Sequence, residues 1–136
     1  MSEAVFIDTG FFKALVNGKD DFHKKSVEIW GKFSKSKIVL TTSNYIVDES
    51  LTVIRIKCGL AKALKFRDLL GRNSDMLKIM RISVKDEAKA WFWFEKDWSK
   101  LSYTDCISFA IMKRLGIKRV ASFDNHFKRA GFKIEK

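Results

Sequence analysis

The feature that most constrains this chain is a regular alternation of short apolar runs with longer stretches of helical period. Residues 4–7, 38–40, 77–83 and 120–123 are short and rich in Val, Ile, Leu and Phe, as buried parallel strands are. Residues 132–134 offer a short fifth strand. Helical patterns fill the intervals over 10–16, 21–33, 44 to about 57, 60–70, 84–98 and 103–115. Residues 41–43 supply N-caps for the third helix, Gly59 separates it from the fourth, and Gly71 and Gly116 stand as stops. In 21–33, Phe22, Val27, Ile29, Trp30 and Phe33 hold the apolar positions. In 84–98 the spacing puts Val84, Ala88, Trp91, Phe92 and Trp98 on one stripe and Trp93 on the opposite side. No proline, linker, repeat or low-complexity block interrupts the order. It predicts an α/β three-layer sandwich, a mostly parallel sheet of four to five strands flanked by helices, built as one domain over 1–136.

The balance of 27 Lys and Arg against 16 Asp and Glu gives a net charge of +11 and a pI near 9.8. Such an excess favours a polyanionic partner, without separating RNA from DNA or from an anionic membrane surface. Residues 1–8 lack the basic and apolar regions of a signal peptide. The densest apolar run, 90–94, is too short to span a bilayer, so a cytoplasmic protein is expected. Cys58 and Cys106 lie far apart in helical patterns and read as small buried hydrophobes. His23 and His126 show no zinc-like spacing with each other or with the cysteines, so a bound metal is expected to have oxygen ligands.

In open parallel sheets ligands bind beyond the carboxyl ends of the strands. Asp8 follows the first strand directly, with Thr9 beside it, and Asp124 follows the fourth. Asp105 falls in the first turn of the helix leading into that strand, and right-handed crossover geometry turns this helix start toward the same edge. Glu49 shares a helix face with Tyr45, Ile46, Val53 and Ile56, where a lone carboxylate needs a partner or neutralises. Each acid also has a structural reading. Asp8 is placed to cap the first helix, Asp105 to complete a capping box with Ser102, Asp124 to cap a turn, and Glu49 to snorkel or pair with a lysine. Together, however, three aspartates at one sheet edge and a fourth carboxylate pointing inward from an adjacent helix repel one another unless a cation compensates, and Mg²⁺ or Mn²⁺ suits oxygen ligands. Inside a basic surface, that arrangement suits phosphodiester cleavage.

Val5-Phe6-Ile7-Asp8-Thr9, Glu49 in a helix, Tyr103-Thr104-Asp105 opening a helix, and Ser122-Phe123-Asp124-Asn125-His126-Phe127 together resemble the PIN-domain nucleases. The resemblance runs over nearly the whole chain, and the length and motif style are most similar to VapC-type toxins of toxin–antitoxin pairs. It implies a Mg²⁺- or Mn²⁺-dependent endoribonuclease that is homodimeric and is neutralised by a small antitoxin. It puts metal binding and catalysis on Asp8, Glu49, Asp105 and Asp124, with Thr9 and Thr104 in support. Asn125 and His126 stand where the family often carries a basic tail, and the run Trp91-Phe92-Trp93-Phe94 is unusually aromatic.

The expected reaction is in-line attack of a metal-activated water on an RNA phosphodiester, with basic side chains on the flanking phosphates. Lys13, Lys113 and Arg114 lie near the acidic motifs in sequence, and ordinary solvated charge is the competing reading for each. Trp93 is placed to stack on an unpaired base or, on a helix so crowded with apolar groups, to bury in a dimer or antitoxin interface. The second apolar ridge of Val47, Leu51, Ile54 and Cys58 is expected to be buried within the domain or by a second subunit. Two alternatives stand beside the toxin reading: a PIN nuclease of ribosomal RNA processing or quality control, and a non-catalytic basic RNA-binding module. A Rossmann nucleotide site is disfavoured by the lack of G-x-G-x-x-G after the first strand, and a phosphoacceptor domain by the lack of paired acids there.

Overall fold

The computed structural model describes residues 3–136, which form five strands and seven helices: β1 (Ala4–Ile7), α1 (Thr9–Val16), α2 (His23–Ser34), β2 (Val39–Ser43), α3 (Asn44–Cys58), α4 (Leu60–Arg72), β3 (Leu77–Met80), α5 (Val84–Phe94), α6 (Tyr103–Leu115), β4 (Arg119–Ala121), α7 (His126–Arg129) and β5 (Lys133–Ile134). All strand pairings are parallel, in the order β3-β2-β1-β4-β5. β1 is central and Val5, Phe6 and Ile7 have no exposure, which is why this run reads as continuous apolar residues. The connections from β1 run to β2 on one side, while β4 returns to pair on the other. The sheet therefore has its switch point between β1 and β4, where a crevice opens beyond the strand ends.

Right-handed crossovers place α1 to α4 on one face of the sheet and α5 and α6 on the other, consistent with the packing of α1 on α2, α3 and α4 and of α5 on α6. Phe6, Phe11, Phe12, Phe66, Phe109 and Phe127 are fully buried between the layers. The Thr42 hydroxyl donates to the Ile7 carbonyl at 2.8 Å, tying the ends of β1 and β2 together beside the crevice. Gly116 takes the left-handed conformation (φ 69°) that ends α6 and turns the chain into β4. Among the described residues no helix is long and apolar enough to cross a membrane.

The structure departs from the sequence expectations in several places. β2 extends through Ser43, so of residues 41–43 only Ser43 caps α3, accepting from the Ile46 amide. α4 runs past Gly71 to Arg72, and the Asn73 side chain bonds back to the Leu69 carbonyl at its end. β3 stops at Met80, which frees Ser83 to cap α5 in a box with Asp86. The largest correction is the face of α5. Its buried residues are Asp86, Ala90 and Trp93, whereas Val84, Trp91 and Phe92 are exposed. Asp86 occupies a core position because Arg114 of α6 binds both its oxygens, at 2.8 and 3.0 Å. That pair rotates the helix and carries Trp93 inward against Phe109, so Trp93 is a core residue and not an interface residue. On α3 the buried stripe is Ile46, Ser50 and Ile54, with Ile56 and Leu51 exposed.

Candidate active site

The C-terminal edge at the β1–β4 switch point carries an open cleft of about 640 Å³, lined by Asp8, Thr9, Glu49, Ser102, Asp105 and Asp124 on its acidic side and by Lys13, Lys19 and Lys100 among its basic groups. All four carboxylates singled out in the sequence therefore reach one space. Thr104 does not line it, and its carbonyl accepts the Ser108 hydroxyl within α6.

Local structure explains each placement. Asp8 stands at the N-cap of α1 in an extended conformation, but its side chain makes no cap bond. Instead it accepts from the Ser122 hydroxyl at 2.9 Å. Ser122 in turn accepts the Asp124 amide at 3.0 Å, so one hydroxyl couples the ends of β1 and β4. Glu49 projects from α3 and accepts the Thr9 hydroxyl at 2.5 Å. Asp105 does close a capping box: its amide meets the Ser102 hydroxyl at 3.0 Å while its Oδ2 accepts the Ser102 amide at 3.3 Å. Asp124 does cap a turn, with Oδ1 accepting the His126 amide at 2.9 Å. For these two the structural and functional readings coexist, because a carboxylate held by backbone amides is also an oriented one.

The electrostatics are those of a cluster short of positive charge. Burial, then the charges of Asp105 and Glu49, push the Asp8 carboxyl up to about 8 against the opposing hydrogen bonds from Ser122 and the Thr9 backbone. Burial, then Asp124 and Glu49, push Asp105 up to about 6. The basic residues near the acids in sequence do not relieve this. Lys13 pairs with Asp20 at 2.9 Å, Arg114 is committed to Asp86 on α5, and Lys113 lies over the Phe132 ring. Lys100 borders the cleft with a backbone φ of 61°, a conformation costly for a residue with a Cβ. Donor atoms of Asp105, Asp124 and His126 lie within 4.8 Å of one another. An oxygen-rich set, with buried acids held partly protonated for lack of charge, fits a divalent cation.

Sequence reasoning missed Ser122, Lys19, Lys100 and the position of His126. Ser122 is legible as the first residue of the motif that carries Asp124. His126 had been set aside on spacing alone, and it is the turn after β4 that brings its Nδ1 to 3.0 Å from Asp124 Oδ1.

The family model described as PIN domain matches residues 5–133. The chain is 33% identical over 129 residues to the 23S rRNA-specific endonuclease VapC20 of Mycobacterium tuberculosis, covering 94% of this chain and 95% of that one. It is likewise 33% identical over 134 residues to a VapC ribonuclease of Archaeoglobus fulgidus, covering 91% and 79%. The crystal structure of M. tuberculosis VapC20, described as a sarcin-ricin loop cleaving toxin, superposes with a TM-score of 0.83 at 30% identity over 94% of this chain and 95% of that one.

Proposed function

This chain belongs to the PIN-domain family, and on that premise we propose that it is a divalent-metal-dependent endoribonuclease, the toxin of a toxin–antitoxin pair, acting on structured RNA such as ribosomal RNA. The observation that carries the reading is the convergence of Asp8, Glu49, Asp105 and Asp124 on one cleft in a chain of net charge +11.

In this reading the four carboxylates would hold Mg²⁺ or Mn²⁺, which would supply Lewis acidity for activating water and for charge developing on the phosphate. The protein's part is orientation. Ser122 fixes Asp8, Thr9 fixes Glu49, and the capping box fixes Asp105, so the oxygens are set before substrate arrives. Lys19 and Lys100, bordering the same cleft, hold phosphates on either side of the scissile bond. Residues 1–136 act as one domain in the cytoplasm.

A small antitoxin is the protein partner in this reading, and the active form is a homodimer. The exposed Trp91, Phe92 and Phe94 of α5 support an interface there, since an aromatic patch of this kind is unfavourable in water. Light scattering at micromolar concentration tests the dimer, and Trp91→Glu should shift it to monomer.

The decisive experiment incubates purified protein with ribosomal and single-stranded RNA in Mg²⁺, in Mn²⁺ and with a chelator. Cleavage that needs a divalent cation and disappears in Asp105→Asn is the expected result. Cleavage indifferent to chelator, or none with any RNA, overturns the reading.

A further inference from the structure

The His126 ring borders the acid cluster and has no part in the mechanism above. Its Nε2 lies 2.9 Å from the Ser99 carbonyl oxygen. A carbonyl only accepts, so Nε2 carries the hydrogen, and in the neutral ring Nδ1 presents a lone pair. Nδ1 is buried without a hydrogen-bond partner. It nevertheless lies 3.0 Å from Asp124 Oδ1 and 3.8 Å from Asp105 Oδ2. The approach to Asp124 lacks the alignment that an N–H donor needs, so a proton on Nδ1 would not be well used there. A spacing of 3.0 Å is instead that of adjacent ligands on an octahedral cation with bonds of about 2.1 Å.

The ring is also held as ligating imidazoles are. Such a histidine normally donates its other N–H to a carboxylate or a backbone carbonyl, which fixes tautomer and orientation. Ser99 supplies that carbonyl. Trp98 stacks on the ring with an interplanar angle of 10° and is itself covered by Arg129.

We propose that His126 Nδ1 is a ligand of the divalent cation together with Asp105 and Asp124, and that this nitrogen biases the site toward Mn²⁺ over Mg²⁺. The inference rests on the reading of the cleft as a metal site. Mg²⁺ favours oxygen ligands and retained water, whereas an imidazole nitrogen suits a transition metal better.

The test is calorimetric titration of Mn²⁺ and of Mg²⁺ into wild type, His126→Gln and Asp105→Asn, with pulsed electron paramagnetic resonance on the Mn²⁺-loaded samples. Gln keeps an N–H for the Ser99 carbonyl but has no ring nitrogen lone pair. Wild type should show ¹⁴N coupling to Mn²⁺. In His126→Gln the coupling should vanish and Mn²⁺ affinity should fall about tenfold, while Mg²⁺ affinity falls less than about threefold. Mn²⁺ bound without nitrogen coupling, and lost in Asp105→Asn, would overturn the His126 assignment and leave the carboxylate site standing. Unchanged or tighter Mn²⁺ binding in His126→Gln overturns it too, and marks the ring as a counter-charge to the acids. No Mn²⁺ binding to wild type removes both readings.

Discussion

Asp86 and Asp105 begin from the same local sequence device and end in opposite electrostatic states. Each is the third residue of a helix whose N-cap serine it joins in a capping box, and each is buried. Burial works to raise both. Around Asp86, hydrogen bonds from Arg114 and Ser83 and the Arg114 charge outweigh it and hold the carboxyl below its usual range. Around Asp105 the neighbours are Asp124 and Glu49, and the carboxyl rises to about 6. The difference teaches that a capping box orients an acid but leaves its charge to long-range partners. One acid is neutralised within the protein, and the other is left with its charge unmatched.

Exchanging each for its amide separates the two roles most sharply. Asp105→Asn should lower RNA cleavage by at least about a hundredfold with the fold intact. Asp86→Asn should leave cleavage near wild type but cost about 2 kcal/mol, since Arg114 loses a charged partner. Denaturant melts and a cleavage assay on both variants check this, and similar behaviour of the two would erase the distinction.

The next largest effect is in pH. The raised Asp8 and Asp105 values mean that the folded chain binds protons more tightly than the unfolded one. Their contribution is therefore fully favourable below about 4 and is lost as pH rises through about 6 and then about 8. Asp86 has the reverse sign, and its contribution is lost as pH falls below the ordinary carboxylate range. Thermal melts without metal should show stability declining from pH 5 to 8.5, at up to about 1.4 kcal/mol per unit per group. Asp8→Asn should flatten that decline, and saturating Mg²⁺ should oppose it by binding the native state.

Glu49→Gln gives a smaller effect on the same side of the comparison. The amide still accepts the Thr9 hydroxyl, so the fold should survive, with metal affinity and cleavage each reduced by about tenfold or more. A variant cleaving at the wild-type rate would remove Glu49 from the cluster. The smallest change belongs to the rim. Lys100→Asn keeps a residue tolerant of positive φ and removes one charge. It should raise KM a few-fold and reduce the salt dependence of RNA binding by about one unit of slope.

Asp8, Asp105 and Asp124 were legible in the sequence because parallel topology sends strand ends and helix starts to one edge, and their order along the chain suffices to place them there. Glu49 was legible as a charge that its helix face does not explain. What escaped depended on partners distant in sequence. The face of α5 was misread because hydrophobicity alone puts the aromatic residues inside. The pairing of Asp86 with Arg114, 28 residues away, makes a charged position the buried one. Arg114 and Lys113, near Asp105 in sequence and read there first as solvated charge, are committed instead to Asp86 and to the face of Phe132. His126 was discounted because spacing rules describe ligands on one element, whereas here a turn supplies one and a helix another.

The hydrogen bond between Ser122 and Asp8 joins residues 114 positions apart. Asp8 and Glu49 belong to the first half of the chain and Asp105 and Asp124 to the second, and the central pairing of β1 with β4 unites them. Closing such a separation costs more chain entropy than the more local pairing of β1 with β2. Without the pairing of β1 with β4 the four acids share no cleft. The acids run from residue 8 to residue 124, so competence to cut is a property of the whole folded domain and of no shorter piece of it.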